Sequence, residues 1–278
     1  MKKLFLLLFF TAASVFGQFA KSDRKSNEEV AFAKPIADSI FIDKTTVKAG
    51  GAFSVLLELH VAENWKVYWK TSGGITMPME FNWTLPEGIT HEGTLYPYPK
   101  RDFSKEAGVS YSNHGKVIYL ANFKVSESFA ESKIDLALVV NWQACRKGTC
   151  ISDFNPPKRS LSLNVAETSV VDSKAAALIK EGTKYFPAAI PAGWKIHAFK
   201  TKSKYKGVYD DGEPTLRPSA VITLISSSNI DPLAVEFFST QAAFGNQQNH
   251  YGFKAVNGTT ISRTYEINDT VETVPQII

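Results

Sequence analysis

From about residue 35 to 166 the chain alternates apolar and polar positions. Phe53, Val55, Leu57, Leu59 and Val61 share one side of an extended segment, with Ser54, Glu58 and His60 among the residues opposite. Trp65, Val67 and Trp69 alternate with Lys66, Tyr68 and Lys70. Val117, Tyr119, Ala121, Phe123 and Val125 form another stripe, as do Ile134, Leu136, Leu138, Val140, Trp142 and Ala144, and lastly Leu161, Leu163 and Val165. Successive side chains of a strand point to opposite faces, so a period of two marks a half-buried strand. Many such segments, punctuated by Gly50-Gly51, Gly73-Gly74 and Pro86-Glu87-Gly88, predict an antiparallel β-sandwich. The period changes to 3.6 over 172–186, where Ala175, Leu178, Ile179, Gly182 and Phe186 line one helical face. Asp172 or Ser173 can cap this helix, and Pro187, Pro191 and Gly193 stop it. Strands are expected again over 194–200, 219–225, 233–238 and 259–267, around a modest core of Trp194, Phe237, Phe238 and Phe253. The expected fold class is all-β: a sandwich over 35–168, a helical connector over 169–189 and a small C-terminal β domain over 190–278.

The first residues bear on the compartment. Lys2 and Lys3 precede an unbroken apolar run over 4–10, and small residues follow, with Val15 and Gly17 at the recognition positions for signal peptidase. A signal peptide over 1–20, cut after about Gly17 or Ala20, is the expectation, followed by a polar, flexible leader over 21–34. The run falls short of the roughly 20 apolar residues that span a bilayer, and no other run is long enough. No cysteine follows the cleavage site to take a lipid. The mature protein is therefore expected to be periplasmic or otherwise exported, and not membrane-spanning. Composition narrows the classes further. A hydrophobic share of 44% in 278 residues excludes disorder, and a net charge of +4 spread along the chain gives no concentrated basic face for nucleic acid. Two cysteines cannot build a disulfide-dense scaffold or a four-thiolate zinc site.

In an oxidising compartment two thiols within reach of each other form a disulfide. The strand that buries Trp142 and Ala144 turns Cys145 to the other face, and Arg146-Lys147-Gly148-Thr149 suits a four-residue hairpin loop. That loop sets Cys145 opposite Cys150, at the Cα separation of about 4.5–5.5 Å that a disulfide accepts. Closing a loop of about six residues contributes only about 2 kcal/mol by chain entropy. Arg146 and Lys147 favour the thiolate, which speeds exchange. A working redox pair and a static staple both fit these residues. Met77-Pro78-Met79 and the cysteines offer soft sulfur to Cu(I), against the plainer reading of two methionines filling core space. His60, His91, His114, His197 and His250 lack metal-ligand spacing, so neither a metal nor a cofactor is expected. The stretch 96–103 is proline-stiffened and aromatic, and reads as a surface loop.

Trp142-x-x-Cys145-x-x-x-x-Cys150-Ile151 resembles the active-site hairpin of the periplasmic N-terminal domain of DsbD, the thiol:disulfide interchange protein. Asn64-Trp65-Lys66-Val67-Tyr68-Trp69-Lys70 is similar to that family's Gly-Trp-His-x-Tyr-Trp-Lys strand, with Lys66 where histidine is common. Phe81-Asn82-Trp83-Thr84-Leu85-Pro86-Glu87-Gly88 is similar to its Trp-x-Leu-Pro-x-Gly stretch, and Ser152-Asp153 replaces a usual Pro-Glu. The resemblance covers roughly 45–165. It implies an immunoglobulin-like sandwich acting as a thiol-disulfide oxidoreductase-like electron-transfer domain, with a link to cytochrome c biogenesis. By the same resemblance Cys150 attacks and Cys145 resolves, Phe103 shields the pair from a cap loop, and Tyr68 and Trp69 contact the substrate. The implied partners are exported thiol-disulfide proteins and a membrane-bound or thioredoxin-like reductant. The alternative is a non-enzymatic envelope binding or scaffold protein with a structural disulfide, copper handling being a lesser option.

Overall fold

A computed structural model of the protein describes residues 35–72, 76–104, 108–153, 155–186, 191–205, 213–232, 235 and 253–266. The alternating stripes become two facing sheets. One runs in the order β1 (Ile36–Ile42), β3 (Ala52–Val61), β9 (Lys116–Val125), β6 (Ile89–Leu95), with every pairing antiparallel. The other runs β13 (Val170–Val171), β2 (Lys44–Val47), β12 (Arg159–Val165), β10 (Lys133–Arg146), β4 (Lys66–Tyr68), β8 (Gly108–Asn113), β7 (Lys100–Ser104). Strands β5 (Glu80–Thr84) and β11 (Thr149–Asp153) also pair with β10, and the β2–β12 pair is parallel. Phe53, Val55, Leu57 and Leu59 meet Val117, Tyr119, Ala121 and Phe123 in the interior, where the Phe53 and Phe123 rings stack with centroids 5.1 Å apart. The fold is the expected all-β, immunoglobulin-like sandwich, followed by a helix and a smaller sheet.

Leu56, Ile118 and Leu120, on the reverse face of β3 and β9, are buried as well. The helix α1 (Ser173–Thr183) explains this second apolar face, because Leu178, Ile179 and Phe186 pack on it. Asp172 is the N-cap, its carboxylate accepting from the Ala175 N–H at 2.8 Å. At Gly182 a Cβ would stand 3.0 Å from Ile118 Cγ2, so glycine lets the helix backbone approach the sheet.

A third sheet follows, in the order β14 (Lys195–Tyr205), β15 (Thr215–Ile225), β17 (Thr260–Glu266), β16 (Lys254–Asn257). β14 and β15 outrun their expected lengths because they pair continuously from Lys195↔Ile225 to Tyr205↔Thr215. Ile222, Leu224, Phe253, Ile261 and Tyr265 form its core, with Trp194 packed against it. Burial pushes the Tyr265 phenol up, and the neighbouring charged groups that act on it include Arg263 of its own strand and Arg101 of β7. The strand expected over 233–238 with Phe237 and Phe238, the Gly73-Gly74 turn, the signal peptide over 1–20 and the leader over 21–34 lie outside the described residues. Among the described residues no helix is long and apolar enough to cross a membrane.

Candidate functional site

β10 is long enough to serve two neighbourhoods. Its first half pairs with β12 and β5, and its last residues pair with β11 on one side and β4 on the other. Trp142 and Ala144 enter the core beside Trp65 and Val67, so Cys145 turns to the opposite face. There Cys145 has two partners in register, Cys150 of β11 and Lys66 of β4. Cys145 and Cys150 form a disulfide with Cα atoms 4.1 Å apart, the close spacing of a non-hydrogen-bonded antiparallel pair. The connecting loop is shorter than the expected four residues. Arg146 and Thr149 form one more rung, leaving Lys147-Gly148 as the turn, and Gly148 adopts the left-handed backbone (φ 73°) that glycine tolerates. The two cysteines differ in exposure: Cys145 is 4% exposed, whereas Cys150 is an exposed residue of β11.

A polar cluster occupies the same face. Lys66 Nζ donates to Asp102 Oδ2 at 3.0 Å and lies 3.5 Å from Ser110 Oγ. Ser112 Oγ donates to the same Asp102 oxygen at 2.5 Å. Its proton is thereby committed, so the 3.1 Å contact between Ser112 Oγ and His114 Nε2 has the imidazole N–H as donor. His114 Nε2 stands 3.8 Å from Asp102 Oδ2, beyond hydrogen-bond distance. His114 foremost, then Ser112 and Lys66, hold the Asp102 carboxyl well below the usual carboxylate range, against the opposing effect of its burial. Behind the disulfide, Gln143 Nε2 donates to Ser152 Oγ at 3.2 Å and Gln143 Oε1 accepts from the Met77 N–H at 3.1 Å, tying β11 and the segment before β5 to β10.

Tyr68 shares the disulfide's face through its rung with Ser112, yet is only 3% exposed, and burial followed by the charge of Asp102 pushes its phenol up. Trp69, at 2% exposure, lies edge-on to Tyr111 with centroids 6.5 Å apart. Phe103 follows Asp102 on β7, opposite Val109; its side chain lies outside the described residues. The expected surface loop over 96–103 is thus a strand in its second half, because β7 finds a hairpin partner in β8. Arg146, expected to act on the thiols, instead lays its guanidinium over the Trp65 ring, 4.8 Å from the centroid. The two methionines diverge: Met79 joins the sandwich core and Met77 is 40% exposed. Sequence reasoning passed over Asp102, Ser110, Ser112 and His114. Their signal was present, since Ser110, Ser112 and His114 alternate and so share one face of an extended segment.

Comparison with known proteins agrees with this architecture. Residues 37–161 match the family model of the N-terminal domain of the thiol:disulfide interchange protein DsbD. Among solved structures, the N-terminal periplasmic domain of ScsB from Proteus mirabilis superposes with a TM-score of 0.51 at 17% identity, over 86% of this chain and 82% of that one. Two structures from Neisseria meningitidis are also similar. One is the complex between the DsbD N-terminal and PilB N-terminal domains (TM-score 0.28, 12% identity, 46% of this chain and 82% of that one). The other is the DsbD N-terminal domain in its reduced form (TM-score 0.25, 11% identity, 48% and 90%). No curated protein sequence matches the chain. The sandwich with its cysteine hairpin, residues 37–161, is thus similar to the family of DsbD N-terminal domains.

Proposed function

We propose that this protein is an exported thiol-disulfide exchange module that passes electrons from a reduced Cys145/Cys150 pair to other envelope proteins. The observation that carries this reading is the difference in exposure between the two disulfide-bonded cysteines, Cys150 exposed on β11 and Cys145 buried on β10. In the reduced pair the Cys150 thiolate attacks a sulfur of the partner's disulfide, forms a mixed disulfide and releases one partner thiolate. Cys145, deprotonated in turn, attacks Cys150 Sγ and releases the second. The partner gains two electrons, the protons of the pair pass to its thiolates, and the Cys145–Cys150 bond re-forms. A membrane-bound or thioredoxin-like dithiol would restore the reduced state, and thiol-disulfide proteins of cytochrome c biogenesis are among the partners this chemistry suits.

In this reading the signal peptide delivers the chain to the periplasm, and the sandwich, helix and small sheet divide near 168 and 190. Phe103 is the candidate partner contact near the cysteines, and Tyr68, only 3% exposed, packs beside the polar cluster through its rung with Ser112. Trp69, packed in the interior, contributes by holding the strand of Lys66 and Tyr68 in place. The test is a trap. Cys145→Ala should accumulate a thiol-sensitive covalent complex in the envelope, and Cys150→Ala much less of it. Phe103→Ala should make the thiols of the reduced protein alkylate faster. Monomeric behaviour of both cysteine variants, together with a reduction potential below about −300 mV, would instead mark a structural bond and leave the binding or scaffold reading.

A further inference from the structure

We infer that Lys66, held by Asp102 and Ser110, is a positioning residue that sets how readily the Cys145–Cys150 bond opens, by stabilising the thiolate that Cys145 becomes. The inference rests on the exchange reading above, but the chemistry it concerns belongs to the disulfide itself. Cys145 has Lys66 as its direct cross-strand neighbour on the face that carries the sulfur. Residues so opposed have Cβ atoms about 4.5–5.5 Å apart, within reach of a lysine side chain. When an incoming thiolate attacks the exposed Cys150 Sγ, a new S–S bond joins attacker and Cys150. The Cys145–Cys150 bond breaks, and its electron pair stays on Cys145 Sγ. A second thiol of the reductant then attacks the mixed disulfide, the oxidised reductant leaves, and its two protons end on the two cysteines.

The leaving sulfur is buried, and a buried thiolate is costly without a nearby cation. Lys66 supplies one from the neighbouring strand. The cations that sequence reasoning favoured are placed otherwise. Arg146 is engaged with the Trp65 ring and Lys147 sits in the exposed turn. Asp102 sets the balance. Its carboxylate, 3.0 Å from Lys66 Nζ, neutralises part of the charge that the Cys145 thiolate would use. The two partners of this ion pair therefore act on the disulfide with opposite sign: the lysine promotes opening and the aspartate restrains it.

Reduction of the oxidised protein by dithiothreitol at neutral pH, followed by the mass of the alkylated product, measures this directly. Lys66→Met should slow reduction by about threefold to tenfold, and Lys66→Arg should stay near wild type. Asp102→Asn should accelerate it by about threefold, because Lys66 is released to the sulfur. In a Cys150→Ala background, the pH dependence of alkylation should show the Cys145 thiol about tenfold less acidic when Lys66 is methionine. A merely structural pair would move both variants the same way, or neither, and either result overturns the inference. Should Lys66→Met fail to fold by circular dichroism, the sign of the Asp102→Asn effect alone decides. Dithiothreitol opens the bond whether or not a partner exists. Loss of the trapped complex with this rate pattern intact would therefore refute only the exchange reading.

Discussion

Asp102 collects three partners on one carboxylate, and its protonation state governs the polar cluster beside the disulfide. Its folded-state pKa is depressed, by His114 first and then by Ser112 and Lys66. A depressed carboxyl contributes stability that is complete above its unfolded value of about 4 and is lost as pH falls through the lower folded value. Wild type should therefore lose urea resistance between pH 5 and pH 3 more steeply than Asp102→Asn, which has no proton to take up there. Equal slopes would show that the cluster adds nothing to stability. Of this site the two cysteines were legible in the sequence as a pair in register, since a short polar loop containing glycine brings its flanks together. The cluster was not, because Lys66, Asp102 and Ser112 come from three strands that only tertiary pairing brings side by side.

At the scale of elements, α1 was readable in its cap and its apolar stripe, which both depend on local spacing, although it ends at Thr183, short of the expected Phe186. What the helix covers was not readable: Leu56, Ile118 and Leu120 break the alternation of β3 and β9 because a second buried face lies beneath it. Two substitutions separate cap from contact. Asp172→Ala should cost about 1 kcal/mol through the lost cap, and Phe186→Ala about 3–5 kcal/mol through the lost packing on that face, both by urea denaturation. Similar costs for the two would mean that the helix is held by its own propensity rather than by the sheet. The cysteine hairpin shows the same division between local and distant causes. Gly148 announced a turn, but the extra Arg146↔Thr149 rung that shortens it follows from β10 being anchored along its length by β12, β5 and β4.

At the scale of the molecule, the cores within the sandwich and the core of the C-terminal sheet share no residue among the described residues. Elements with separate cores open separately. Ile261→Ala, at a fully buried position, should cost about 2–5 kcal/mol and strip hydrogen-exchange protection from β15 and β17. The amides of β3 and β9 should keep theirs, and parallel loss in both would show one cooperative unit. The sequence by itself determined the all-β class, the sandwich's interior stripes, the capped helix and the facing cysteines, because each follows from the period of side chains along a strand or helix and from turn chemistry. Tertiary structure alone decided that Cys145 is buried while Cys150 is exposed, that Arg146 turns to Trp65, and that Lys66 is the cross-strand partner of Cys145 under the hold of Asp102. These properties depend on which strands become neighbours and on what covers each face, and residues distant along the chain settle both.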